Sequence, residues 1–142
     1  MLRTLRSRSA LEWLLAARAV ALMTLLVVAV RVLPYRVWHR LSAANGRVPR
    51  DAAAAVSAAH IVRAVESASR FVPGGENCLA RALTTRQLMT HYGLGATLRL
   101  GVAKAPSGNL EAHAWIEYEG AVLIGDGGTD RFALMPDLET RL

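Results

Sequence analysis

Cysteine occurs once in this chain, as Cys78 in "GGENCLARAL", and one of its four histidines, His113 in "EAHAWIEYEG", lies in an alternating pattern instead of a helical one. A thiolate is a strong nucleophile once a neighbouring base has taken its proton, so the two residue types together offer covalent catalysis with His113 as general base. Asn77 is placed to cap a helix that starts at Cys78. At such a start, unpaired backbone N–H groups and the helix dipole favour an anion, first the thiolate and then the oxyanion of a tetrahedral intermediate. Read without chemistry, Cys78 is a small residue filling core space and His113 an exposed strand histidine.

A base needs an orienting partner, and the pattern after His113 offers one. If Glu119-Gly120 is a two-residue hairpin loop, Tyr118 pairs with Ala121, and counting back along both strands puts Asp126 directly opposite His113. Cross-strand neighbours on one face have Cβ atoms about 4.5–5.5 Å apart, close enough for a carboxylate to hold an imidazole. One extra loop residue would shift this register, and Asp130 then becomes the substitute. By parity Ala112, Ala114, Ile116 and Tyr118 share one face, while His113 and Trp115 share the other with Glu111, Glu117 and Glu119. A helix packed over the His113 face would bring Cys78 within reach. Trp115 then either shields the site or is a core residue. His39, His60 and His91 fall at helical or helix-end positions and read as surface residues. Without a His-x-x-x-His, a Cys-x-x-Cys or an acidic cluster, the sequence calls for no metal and no cofactor.

The elements that would position these residues are legible in outline. Ser9-x-x-Glu12 has the form of a capping box, and the apolar run behind it predicts a helix ending just before Pro34. Pro34 can open a short second helix carrying Tyr35 and Trp38, stopped by Asn45-Gly46, with Arg47 to Arg50 as a linker. Asp51 is the candidate N-cap of an alanine-rich helix through about Arg70. "VPGGEN" breaks the chain, a helix follows from Cys78 to His91, and "YGLG" stops it. Strands are expected over 96–104, 110–118 and 121–125. The fold class is therefore α+β, with helices preceding a catalytic helix packed on a small antiparallel sheet. It divides into a basic, apolar helical region over 1–50 and a catalytic domain over 51–142.

Length and charge narrow the function. The 142 residues suffice for one compact domain and a small accessory segment. A single cysteine forms no intramolecular disulfide, which points to a reducing, cytoplasmic setting. Residues 1–50 hold nine arginines against Glu12 alone, whereas the rest hold eight basic and ten acidic residues. A basic beginning on a nearly neutral domain suits an acidic partner, an anionic membrane surface touched peripherally by the first helix, or nucleic acid. The arginines are not interleaved with a base-stacking aromatic platform, which disfavours nucleic acid. The uncharged stretch Ala19–Val30 is 12 residues, and spanning takes roughly 20, so a membrane span is disfavoured. "SAA" at 42–44 mimics an export cleavage site, but Arg31, Arg36 and Arg40 lie before it with the wrong charge for export.

The order of a cysteine at a helix start, a histidine on one strand and an aspartate after the next resembles the papain-like and transglutaminase-like cysteine proteases. Within these, "CLARAL", "GLGATLRLGVAK" and "AHAWIEYEG" resemble the B2 leader peptidases of lasso peptide biosynthesis, over roughly residues 70–136. The resemblance implies Cys78 as nucleophile, His113 as general base and then acid, and Asp126 as orienting carboxylate, with Asp130 as the other candidate. It further implies cleavage of a precursor peptide after its leader, a separate leader-binding B1 protein, and a lasso cyclase that joins the freed amine to an Asp or Glu side chain. The basic helical region or an exposed strand edge is where B1 or the leader would dock. Two other readings stand beside it: a transglutaminase-like acyltransferase, in which an amine replaces water on the thioester, and a non-catalytic adaptor that carries peptides.

Overall fold

The computed structural model describes residues 9–34, 37, 55–125 and 132–134. Among the described residues three helices come first: α1 (Ala10–Val32), α2 (Ala58–Phe71) and α3 (Cys78–His91). Four antiparallel strands follow, β1 (Thr97–Lys104), β2 (Leu110–Tyr118), β3 (Ala121–Ile124) and β4 (Ala133–Leu134), in the order β3-β2-β1-β4. The architecture is α+β, with three helices gathered on one face of a small sheet.

Local chemistry explains most boundaries. The Ser9 hydroxyl accepts from the Glu12 amide while Glu12 Oε2 accepts from the Ser9 amide at 2.9 Å, closing the expected capping box of α1. The helix runs to Val32, and Pro34 cannot continue it. The alanine-rich helix is shorter than its composition predicts. It starts at Ala58, not near Asp51, because the Ser57 hydroxyl accepts from the His60 amide and His60 Nδ1 accepts from the Ser57 amide. Alanines carry no capping group, whereas Ser57 ends the helix backwards by satisfying its first amides. His60 is thus half of a cap and not an idle surface residue. Asp51, the second helix from Pro34 with Tyr35 and Trp38, the linker and the boundary between residues 50 and 51 all lie outside the described residues.

One core joins the helices to the sheet. Leu15, Ala19, Met23 and Leu26 of α1, Ile61, Val65 and Ala68 of α2, and Ala82, Leu83 and Leu88 of α3 are buried with Leu98, Ala114, Ile116 and Ile124 of the strands. α3 is buried on nearly every side. Its small residues permit close approach, and the hydroxyls of Thr84 and Thr85 donate to the carbonyls of Ala80 and Arg81 one turn back, at 2.7 and 2.8 Å. The loop before α3 lies tight on α1: a Cβ on Gly75 would stand 2.9 Å from Met23 Sδ and 2.9 Å from the Val72 carbonyl. Arg18 of α1 donates to the Tyr92 hydroxyl at the end of α3, at 2.6 Å, and Arg81 of α3 pairs with Glu66 of α2.

Ser57, as the observed cap of α2, therefore carries part of its stability. Ser57→Ala should lower unfolding free energy by about 1 kcal/mol in denaturant melts, with Asp51→Ala within error of wild type. The reverse ranking would move the helix start back to the sequence-based position.

Candidate active site

Cys78 is the first residue of α3 and is half-buried against the shared core. The cap changes the arithmetic of the helix start. Asn77 Oδ1 accepts from the amides of Leu79 at 2.9 Å and Ala80 at 3.4 Å, and the Asn77 carbonyl accepts from Arg81. The first-turn amides expected to hold an anion are thus mostly engaged. Among the described residues the Cys78 amide is the one of that turn without a partner, and it alone remains to donate to a group bound beside the sulfur.

His113 lies near the middle of β2, opposite Gly101 of β1. Its Nε2 stands 2.7 Å from the carbonyl oxygen of Gly125. A carbonyl only accepts, so Nε2 carries the proton and donates, leaving the Nδ1 lone pair as the basic site of the neutral ring. The ring stacks on Trp115 at 5.9 Å between centroids and 25° between planes, with Phe132 at 5.2 Å. Trp115 is 97 % removed from solvent, at 3 % exposure, and is a buried residue of this face. Gly101 makes room for it: a Cβ there would stand 3.0 Å from the indole and 2.7 Å from the Phe132 Cβ. Gly125 is required on its own account, because its φ is +85° and a Cβ would meet the Ala114 carbonyl at 2.7 Å.

Trp115 Nε1 also donates to Glu117 Oε1 at 3.1 Å, and Arg99 of β1 pairs with the other carboxylate oxygen at 3.2 Å. The indole donor first, and then Arg99, hold the Glu117 carboxyl below its usual range against the opposing effect of burial. A carboxyl lowered on folding adds stability above its unfolded pKa, and that contribution fades as pH falls through the folded value.

Two geometric expectations need correction. The hairpin loop is the two-residue turn foreseen, with Glu119 at φ +50° and Gly120 at +79°, and Tyr118 pairs with Ala121 and Glu117 with Val122. A bulge then intervenes, so Ile116 pairs with Ile124 and not with Leu123. The extra residue slips the register by one, and the count that placed Asp126 opposite His113 does not carry past Ile116. Asp126 and Asp130 themselves lie outside the described residues. Second, α3 packs over the other face of β2. Ala114 and Ile116 share the core with α3, whereas His113 and Trp115 face away. No hydrogen bond joins Cys78 to His113 among the described residues. Among the described residues β3 pairs with β2 only from Ile116 to Tyr118, and beyond it Gly125 lies close against Ala114 and Trp115.

Sequence reasoning missed Gly125 and Phe132. A glycine directly after a strand is a weak signal for a close backbone approach, and nothing local to Phe132 connects it to β2.

The profile of the transglutaminase-like superfamily matches residues 23–136, from the middle of α1 past β4 and across both Cys78 and His113. No curated protein and no solved structure matches the chain. The chain belongs to the transglutaminase-like superfamily, whose chemistry includes cysteine peptidases and acyltransferases.

The tautomer of His113 is directly observable. Long-range ¹H–¹⁵N spectra of the neutral ring should show the Nε2–H form, and Gly125→Ala, which displaces the accepting carbonyl, should shift the ring toward a mixture. A dominant Nδ1–H form in the wild type would contradict the contact to Gly125.

Proposed function

We propose that this member of the transglutaminase-like superfamily is a cytoplasmic cysteine peptidase that removes the leader from a ribosomally made lasso precursor peptide. It acts with a separate leader-binding B1 protein and delivers its product to a cyclase. The observation that carries the reading is a superfamily match spanning a cysteine at a capped helix start with its own amide free, together with a strand histidine whose Nε2 is engaged and whose Nδ1 is not. The motifs "CLARAL" and "AHAWIEYEG" support the narrower assignment to leader removal.

In this mechanism the Cys78 thiol gives its proton to His113 Nδ1, and the sulfur attacks the carbonyl carbon of the scissile peptide bond. The Cys78 amide donates to the resulting oxyanion. The C–N bond breaks as the imidazolium returns its proton to the departing amine, which is the new amino terminus of the core peptide. Water, deprotonated by His113, attacks the thioester and frees the leader carboxylate and the thiol. Asp126, or Asp130 in its place, is assigned to stabilise the imidazolium charge, Nε2–H being already engaged by the Gly125 carbonyl. The reading requires Cys78 Sγ and His113 Nδ1 to come together, which takes a rearrangement of the first turn of α3 or of β2, because α3 packs on the face opposite His113. Catalytic hydrogen bonds are often long in a free enzyme and tighten with substrate bound.

Cleavage of a purified precursor, followed by mass spectrometry with B1 present, tests this. Cys78→Ala should abolish product while keeping the wild-type melting temperature, and His113→Ala should reduce the rate by at least about 10²-fold. Omitting B1 at precursor concentrations far below saturation should lower the rate by about 10²- to 10⁴-fold, because tethering raises the local substrate concentration. Undiminished cleavage by a folded Cys78→Ala protein would end the peptidase reading. A leader that accumulates as an amide of an added amine, with no hydrolysed acid, would favour acyl transfer instead. Loss of activity in Asp130→Asn but not Asp126→Asn would identify Asp130 as the orienting carboxylate.

A further inference from the structure

α1 is apolar on both sides, yet only one side is covered. Leu15, Ala19, Met23 and Leu26 face the core, whereas Leu14, Leu25, Val28 and Val32 are 48 %, 60 %, 53 % and 73 % exposed. With the exposed Ala17 and Ala21 these residues recur at helical spacing and form one continuous stripe. From Leu14 to Val32 the stripe is about 27 Å long at 1.5 Å per residue. Thr24, at its margin, turns its hydroxyl back to the Val20 carbonyl at 2.7 Å, so it asks for no outside partner. Beside the stripe, Ala21, Leu22 and Leu25 form an apolar groove with Leu88 of α3, and Arg18 also lines it. An exposed apolar surface of this extent on a small domain marks a binding face.

The charge around the stripe says what binds. Arg18 and Arg31 are the cations of α1, and its one acidic side chain, Glu12, is held in the capping box. The sequence of the first 50 residues carries nine arginines against that single acid, seven of them outside the described residues. We propose that the exposed face of α1 is a peripheral docking surface for an anionic lipid bilayer, its aliphatic stripe lying in the headgroup–acyl boundary and its arginines meeting lipid phosphates. Helices that lie in a membrane plane combine these features, an apolar face with basic residues beside it. α1, at 23 residues, is by length and composition long and apolar enough to cross a bilayer. Crossing would expose Arg18 to hydrocarbon and strip Leu15, Ala19 and Met23 from the core they share with α2 and α3, so docking in the plane keeps the domain folded. The surface places the peptidase site at a membrane and is independent of which bond that site cleaves.

Cosedimentation of the full chain with vesicles decides the matter. Vesicles of phosphatidylcholine and phosphatidylglycerol in equal parts should pellet the protein, and phosphatidylcholine alone should not. Raising salt from about 0.1 M to about 0.5 M should release it, as screening weakens the arginine–phosphate attraction. The double variant Leu25→Ser, Val28→Ser should lose at least about tenfold in partitioning. Both side chains are exposed, so its melting temperature should stay near wild type, and Val32→Ser serves if the pair proves unstable. Failure to pellet with anionic vesicles, equal pelleting with both lipid compositions, or undiminished pelleting of a folded double variant would each overturn the proposal. So would a wild-type dimer, or a complex with purified B1 protein, that the double variant loses while wild type binds no vesicles.

Discussion

Burying α3 on nearly all sides is the constraint from which the rest of this structure follows. A helix enclosed that way must satisfy or stretch out its polar groups: the hydroxyls of buried Thr84 and Thr85 donate within the helix, Arg81 reaches Glu66 of α2, and most of the remaining buried positions are small or apolar. Helices α1 and α2 cover one side and the sheet the other. The glycine loop ahead of α3 is pressed onto α1 at Met23, and Asn77 closes the first turn, so the position of Cys78 is determined by α1 as much as by its own helix. That dependence accords with a superfamily match that begins at residue 23, inside α1. A domain that used α1 only as an appendage would not need its glycines to fit against it.

The sheet works under a second constraint, the closeness of backbone and ring at two glycines. Gly101 lets Trp115 and Phe132 lie flat on β1, and Gly125 brings its carbonyl to His113. A side chain at either position would push the aromatic group away and free the imidazole to rotate. The outer face of β2 is thereby as ordered as the inner one, with the ion pair of Arg99 and Glu117 at its far end. Order at a face that carries a histidine is what a general base needs, since an unrestrained ring samples both tautomers and many rotamers.

How much of this the sequence disclosed depended on whether the determining interaction was local. Ser9 with Glu12, Asn77 before Cys78, and Glu119-Gly120 between two strands are interactions over one to three residues, and each was legible. The start of α2 was misread because Ser57 competes with Asp51 for the cap, and an alanine run does not say which wins. β4 was not foreseen, being two residues held only by pairing with Gly101 and Val102, more than thirty positions earlier. The bulge beside Ile116 inserts one extra residue in β3, and a one-residue insertion leaves no mark in a hydrophobic pattern. Parity correctly grouped His113 with Trp115 and Glu117, but it does not say which face of a strand a helix will cover. Here both faces carry buried side chains, Ile116 on one and Trp115 on the other.

The central claim is that Cys78 and His113 act as one unit, and a short cross-linker measures that most directly. Dibromoacetone alkylates a reactive thiol and then bridges to an imidazole within reach of its three-carbon span. Peptide mapping of the treated protein should recover Cys78 joined to His113, and His113→Ala should yield only the singly alkylated cysteine. A Cys78 adduct that never bridges to His113, or that bridges to His60 instead, would contradict the account.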